Sequence, residues 1–312
     1  MKASRKKLLK KPLALSPLSL AIAACGGGGG GQSNNTNTSN PDLADDVFAD
    51  IGTDGLDEKA SLSSLVSNDG SSSVKVGIAT SERGDHGTVS ILSVHEESII
   101  NIDAFSSDER FSGIDGSGFT IAVLDTGMDL DNEAFGADTN NDGIADRIIF
   151  ARDFTPEGDG TADDVQGHGT HVASIIGSSS SDTIGIAPGV NFVALQVLDS
   201  TGVGTESDIE DALQWVIQHA EAMNIVAVNL SLGDTTNYNV SNSHPVYGDE
   251  LLVLHDHLNV AVVAAAGNEY QVYQSEGASS LAADPNVIAI GAVGGTPETA
   301  DDLAFFSQRS VE

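Results

Sequence analysis

Five stretches of this chain are apolar at successive rather than alternating positions: "FTIAVLD" (119–125), "NFVALQVL" (191–198), "IVAVNLSLG" (225–233), "VAVVAAAGN" (260–268) and "VIAIGAVGG" (287–295). A strand with one wet face alternates, whereas a strand that is apolar throughout has to be covered on both faces. Helical patterns separate the runs. "HGTHVASIIG" places Val172, Ile175 and Ile176 on one face and stops at Gly177. "TESDIEDALQWVIQHAEAM" spaces Ile209, Leu213, Val216, Ile217 and Ala220 at helical intervals behind an acidic start, with Thr205 or Ser207 as the cap. "YGDELLVLHDHLN" reads as a third helix. Strands alternating with helices predict an α/β fold: a doubly wound, mostly parallel sheet with helices on both faces and its ligand crevice at the carboxyl ends of the strands.

The beginning of the chain has a different character. Lys2, Arg5, Lys6, Lys7, Lys10 and Lys11 precede the apolar stretch "PLALSPLSLAIAAC", the pattern of a secretory signal peptide over residues 1–24. The small residues before Cys25 resemble the lipobox of bacterial lipoproteins, which implies an exported chain lipid-anchored through Cys25 to an outer membrane or cell surface; the alternative is an ordinary small-residue cleavage site that happens to contain a cysteine. Cys25 is the only cysteine, so no disulfide can form within the chain. Residues 25–41, rich in Gly, Asn and Ser, read as a flexible tether. Residues 42–108 are acidic and Ser-rich, with two strand-like runs, "SVKVGIAT" and "TVSILSV"; they are either a pro-segment or an irregular extension. The folded domain is expected over 109–312.

Charge narrows the partners. The chain has 46 acids, 13 bases and a formal net charge of −33, and six of those bases lie in its first eleven residues. Nucleic acid is excluded as a partner by such an excess, which repels itself and is relieved by salt or bound cations.

Polar signatures fall at the ends of the apolar runs. Asp125 ends the first in "VLDTGMD", Ser231, Leu232 and Gly233 close "VNLSLG", and Asn268 closes "VVAAAGNE"; two histidines open a helix in "DDVQGHGTHVAS". In this order the four motifs "VLDTG", "GHGTHVAS", "VNLSLG" and "AAGNE" resemble the subtilisin-like serine proteases, from about Gly113 onward. The resemblance implies that Asp125 orients an imidazole, that His168 is the general base, and that Asn268 donates to the oxyanion of a tetrahedral intermediate. Gly167 and Gly169 would let the helix begin close to the substrate without blocking the imidazole, and His171 would be a structural residue hydrogen-bonded beneath it. A zinc pair at His168 and His171 lacks the third ligand and catalytic acid that such sites need. By the same resemblance, Ser231–Leu232–Gly233 and Gly202–Val203–Gly204 would sandwich an extended peptide, and Ala264, Ala265, Ala266 and Gly267 would line the pocket for the side chain before the cleaved bond. Protein or peptide substrates follow.

A further loop, "DTNNDGIAD" (138–146), spaces Asp138, Asn140, Asp142 and Asp146 around Gly143, as calcium loops do, so structural Ca2+ is expected there. It is not a complete EF-hand, because Ile149 stands where a bidentate Glu belongs. The nucleophile is missing: no Gly-Thr-Ser segment follows Asn268, and Ser307 and Ser310 lie in what resembles a segment preceding that motif. The fold is therefore expected to be incomplete at its C-terminus, as a fragment of a serine endopeptidase; the alternative is a non-catalytic, membrane-anchored peptide-binding or adhesion module.

Overall fold

The computed structural model describes residues 75–77, 102–158, 160–294 and 302–309. The signal peptide, Cys25, the tether and the run "TVSILSV" lie outside the described residues. The described elements are, in chain order, β1 (Lys75–Gly77), α1 (Ile102–Ser107), β2 (Thr120–Asp125), β3 (Ile148–Asp153), α2 (His168–Gly177), β4 (Asn191–Gln196), β5 (Val203–Thr205), α3 (Glu206–His219), β6 (Ile225–Leu230), α4 (Gly248–Leu252), β7 (Ala261–Ala265), α5 (Tyr270–Tyr273) and β8 (Ile288–Ile290).

Six strands form one sheet in the order β3-β4-β2-β6-β7-β8, every pairing parallel. The sheet is covered on both faces, as the unbroken apolar runs require. Ala122, Leu124, Val193, Leu195, Val228, Leu230, Val262 and Ala264 face one core with Ile209, Leu213 and Val216 of α3. Their strand neighbours Ile121, Val123, Phe192, Ala194, Ala227 and Val263 face another with Val172 and Ile176 of α2. Period-two alternation thus divides each strand between two apolar layers. The doubly wound expectation is met.

Local sequence sets the boundaries. Thr205 is the cap of α3: its hydroxyl accepts from Asp208 N at 3.3 Å while Asp208 Oδ2 accepts from Thr205 N at 3.0 Å, a reciprocal box that satisfies two otherwise unpaired donors. The third expected helix is not uniform. After α4 the chain widens into a π-turn over Val253–His257, and both Leu251 and Leu254 are fully buried. The strand β3 carries no long apolar run, because it is an edge strand whose residues are mostly half-buried or exposed.

Topology places the crevice. From β2 the chain builds β3 and β4 on one side of that strand, then crosses through α3 to build β6, β7 and β8 on the other. The carboxyl end of β2 is the switch point of the sheet, where neighbouring connections diverge and leave a gap. Asp125 is its last residue.

Candidate active site

Asp125 is fully buried at the end of β2, and its Oδ1 lies 2.7 Å from Nδ1 of His168, the first residue of α2. Oδ1 also accepts from Thr126 N at 2.8 Å, whereas Oδ2 has no hydrogen-bond partner among the described residues. A buried oxygen left in that state costs about 1–3 kcal/mol. Burial disfavours the imidazolium of His168, but the charge and hydrogen bond of Asp125, with a smaller contribution from Asp164, outweigh it and raise its pKa above 6.5. With the Nδ1 proton held by Asp125, the lone pair of the neutral ring is on Nε2, on a side chain that keeps 15% of its surface exposed. That is the arrangement of a general base.

Two glycines make the contact possible. Gly167 has φ +99°, a left-handed turn that lets α2 start abruptly. Gly169 was expected to keep space clear on the substrate side; it faces inward instead. A Cβ there would stand 2.1 Å from the carbonyl oxygen of Gly127 and 3.1 Å from Cβ of Asp125, so glycine is what lets the helix approach the strand end. His171 is half-buried, and no side-chain hydrogen bond of it is found among the described residues, against the expectation of a bond beneath the site.

The other predicted residues lie beside this pair. Leu230 of β6 pairs with Ala264 of β7, so Ser231–Leu232–Gly233 and Ala265–Ala266–Gly267–Asn268 leave the same edge of the sheet as Asp125. Asn268 is half-buried, and its side-chain amide has no partner among the described residues, leaving both N–H groups available as donors. Ala264 is a correction: it is fully buried in the core on the face of α3 and presents no wall to a ligand, because strand alternation turns it away from its neighbour Ala265. Ser279 borders this region instead. Its Oγ donates to Ala265 O at 3.3 Å, and a Cβ on Gly233 would meet it at 3.4 Å. Across the crevice, Val203 and Gly204 of the Gly202–Val203–Gly204 rim are paired antiparallel with Lys75–Gly77 of the same chain, Val76 opposite Gly204. A peptide lying along that rim would have to replace β1.

Sequence reasoning missed Glu269, although it completes the quoted "AAGNE". It is 7% exposed, and its Oε2 accepts from Asn268 N at 2.9 Å. Burial pushes its carboxyl up to about 7, with the charge of Asp234 adding to the effect and the hydrogen bonds from backbone amides opposing it. Between the ordinary value of 4.5 and about 7 the folded chain binds the proton that the unfolded chain has released, so raising the pH through this window removes stability, by roughly 3 kcal/mol for such a shift. Glu269→Gln, which keeps an acceptor for Asn268 and carries no charge, should therefore melt several degrees above the parent at pH 8 and level with it at pH 4. A gain equal at both pH values would show that the carboxyl loses its proton at the same pH in the folded and unfolded chain, and would contradict the upward shift.

The expected calcium ligands are turned onto their own loop. Asp138 accepts from Asp142 N at 3.2 Å and Gly143 N at 3.0 Å, Asn140 from Asp142 N at 3.0 Å, Asp142 from Ile144 N at 2.9 Å, and Asp146 from Thr139 N and Oγ1 at 3.2 and 2.8 Å. Among the described residues no three His, Cys, Asp or Glu side chains are gathered as a metal site needs. Ser307, in the segment that resembles the one preceding the nucleophile motif, is 1% exposed, and its Oγ accepts from Ala292 N at 2.9 Å and donates to Gln308 O at 3.1 Å; Ser310 lies outside the described residues.

Comparison with known proteins points the same way. A subtilisin-like protease 6 from Trichophyton tonsurans is 30% identical over 185 residues, 57% of this chain and 39% of the relative. Subtilisin NAT from Bacillus subtilis subsp. natto is 32% identical over 201 residues, 64% of this chain and 47% of the relative. Subtilisin from Bacillus pumilus is 32% identical over 202 residues, 64% of each. The chain thus spans less than half the length of the first two relatives. The model of the subtilase family matches residues 116–312, the region that contains the whole six-stranded sheet and the Asp125–His168 pair, and the chain belongs to that family.

Proposed function

We propose that Asp125, His168 and Asn268 serve a serine endopeptidase that cleaves peptide bonds in proteins through an acyl-enzyme, with its nucleophile on a serine outside these 312 residues. The 2.7 Å contact between Asp125 and His168 carries the reading. In the first step His168 Nε2 would take the serine proton as the serine oxygen attacks the scissile carbonyl. The imidazolium then carries both ring protons, one shared with Asp125, and returns one to the leaving amine. Asn268 would donate to the oxygen that gains the negative charge. Membership of the subtilase family and the engaged, buried state of Ser307 support a nucleophile elsewhere.

Export and lipid anchoring at Cys25 belong to the same proposal, supported by the basic start and the small residues before the cysteine. Expressed in a bacterium that processes lipoproteins, the protein should partition with membranes and Cys25→Ser should release it; unchanged partition in the mutant sinks the anchor.

Hydrolysis is tested by reading the gene onward from codon 312. A protein carrying a downstream serine should be labelled by a fluorophosphonate and hydrolyse casein, and His168→Ala should lower both by several orders of magnitude. Labelling that survives His168→Ala would contradict the assignment of the base, and absence of labelling in the parent would favour a peptide-binding module.

A further inference from the structure

Two side chains outside the pair, those of Asp164 and Thr126, help to bring His168 to Asp125. Asp164, half-buried in the loop before α2, accepts five hydrogen bonds. Its Oδ1 takes Thr126 Oγ1 at 2.9 Å, Gln166 N at 3.1 Å and Gly167 N at 2.7 Å; its Oδ2 takes Thr170 N at 2.8 Å and Thr170 Oγ1 at 2.6 Å. Four of the five come from the turn into α2 and from its first turn. The fifth comes from Thr126, the residue next to Asp125 and fully buried.

Thr126 is a relay. Its hydroxyl donates to Asp164 and accepts from Gly169 N at 2.9 Å, while its own backbone N–H donates to Asp125 Oδ1 at 2.8 Å. Gly169 follows His168 and Thr126 follows Asp125, so the residue after each member of the pair is bonded to the other through one hydroxyl, which Asp164 orients. Thr170 extends the clamp, since its hydroxyl also accepts from Asp129 N at 2.9 Å. The five bonds are shared between two carboxylate oxygens, whereas an amide offers one acceptor oxygen.

We infer that Asp164 is a positioning residue, which clamps the start of α2 to the end of β2 through Thr126 and so sets the approach of His168 to Asp125. It acts through these neighbours and touches no reacting atom. The inference rests on the reading of His168 as the base, yet its test needs no catalysis. Besides Asp164, the groups facing His168 are Asp125, whose charge and hydrogen bond favour the imidazolium, and His171, whose own protonation the charge of His168 opposes.

The test follows the imidazole by NMR in the isotope-labelled full chain. Asp164→Asn should lower the titration midpoint of His168 by about half a unit to one unit, within the range for loss of a nearby opposite charge. Thr126→Val leaves every charge in place and removes the relay hydroxyl; it should move the midpoint in the same direction by less, and speed solvent exchange of the Nδ1 proton several-fold. A merely structural role would lower the melting temperature of both variants, move the ring's titration only in Asp164→Asn through its lost charge, and leave the midpoint and proton exchange of Thr126→Val as in the parent, and that result overturns the inference. Should Asp164→Asn fail to fold, Thr126→Val alone decides, by the exchange rate. Because the readout is the ring itself, a failed proteolysis assay and a failed clamp are separate outcomes.

Discussion

The close approach of a helix start to a strand end is what the rest of this structure is arranged to permit. For Asp125 Oδ1 to lie 2.7 Å from His168 Nδ1, the first turn of α2 has to press on the loop after β2. Gly169 faces the Gly127 carbonyl at a distance no side chain tolerates, and a Cβ on Gly127 would in turn meet Ala162 O at 2.5 Å. Backbone therefore meets backbone in two successive layers. The parallel sheet supplies the remaining condition, because only at its switch strand do neighbouring connections part and leave space for substrate.

Electrostatics then divides the acids of this region by burial and partner. Asp125 and Asp164 lie where a positive imidazole would form, and both favour it. Glu269 is buried beside Asn268, and burial, with the like charge of Asp234 adding to it, holds its carboxyl toward the neutral form. Asp234 itself is satisfied by Thr236 and Ser280, accepting their backbone amides at 3.2 and 3.1 Å and their hydroxyls at 2.6 Å each. These bonds tie the segment after Ser231–Leu232–Gly233 to the chain that follows Ser279, and thus brace the two sides of the region where substrate would lie.

Much of the fold was legible because burial on both faces writes itself into a strand as an unbroken apolar run. Strands β2, β4, β6, β7 and β8 and helices α2 and α3 follow from that pattern, and β3 does not, since an edge strand has no second apolar layer to declare it. The residues proposed for catalysis were legible as motifs, Asp125 and Asn268 at the ends of runs and His168 at the start of a helix. What sequence could not reveal was orientation. Ala264 reads like Ala265 until alternation turns one into the core. Gly169 reads as clearance for substrate until its inward face is seen. Glu269 and Asp164 both stand inside quoted motifs, but their importance comes from burial and from five converging donors, which no spacing encodes.

The central claim is that Asp125 makes His168 a base whose protonated form is stabilised against the cost of its burial. Replacing Asp125 by Asn and following the His168 ring by NMR tests it most directly. Burial alone disfavours the charged ring, so the titration midpoint, above 6.5 in the parent, should fall below that value in Asp125→Asn. A midpoint unchanged by the substitution would contradict the account.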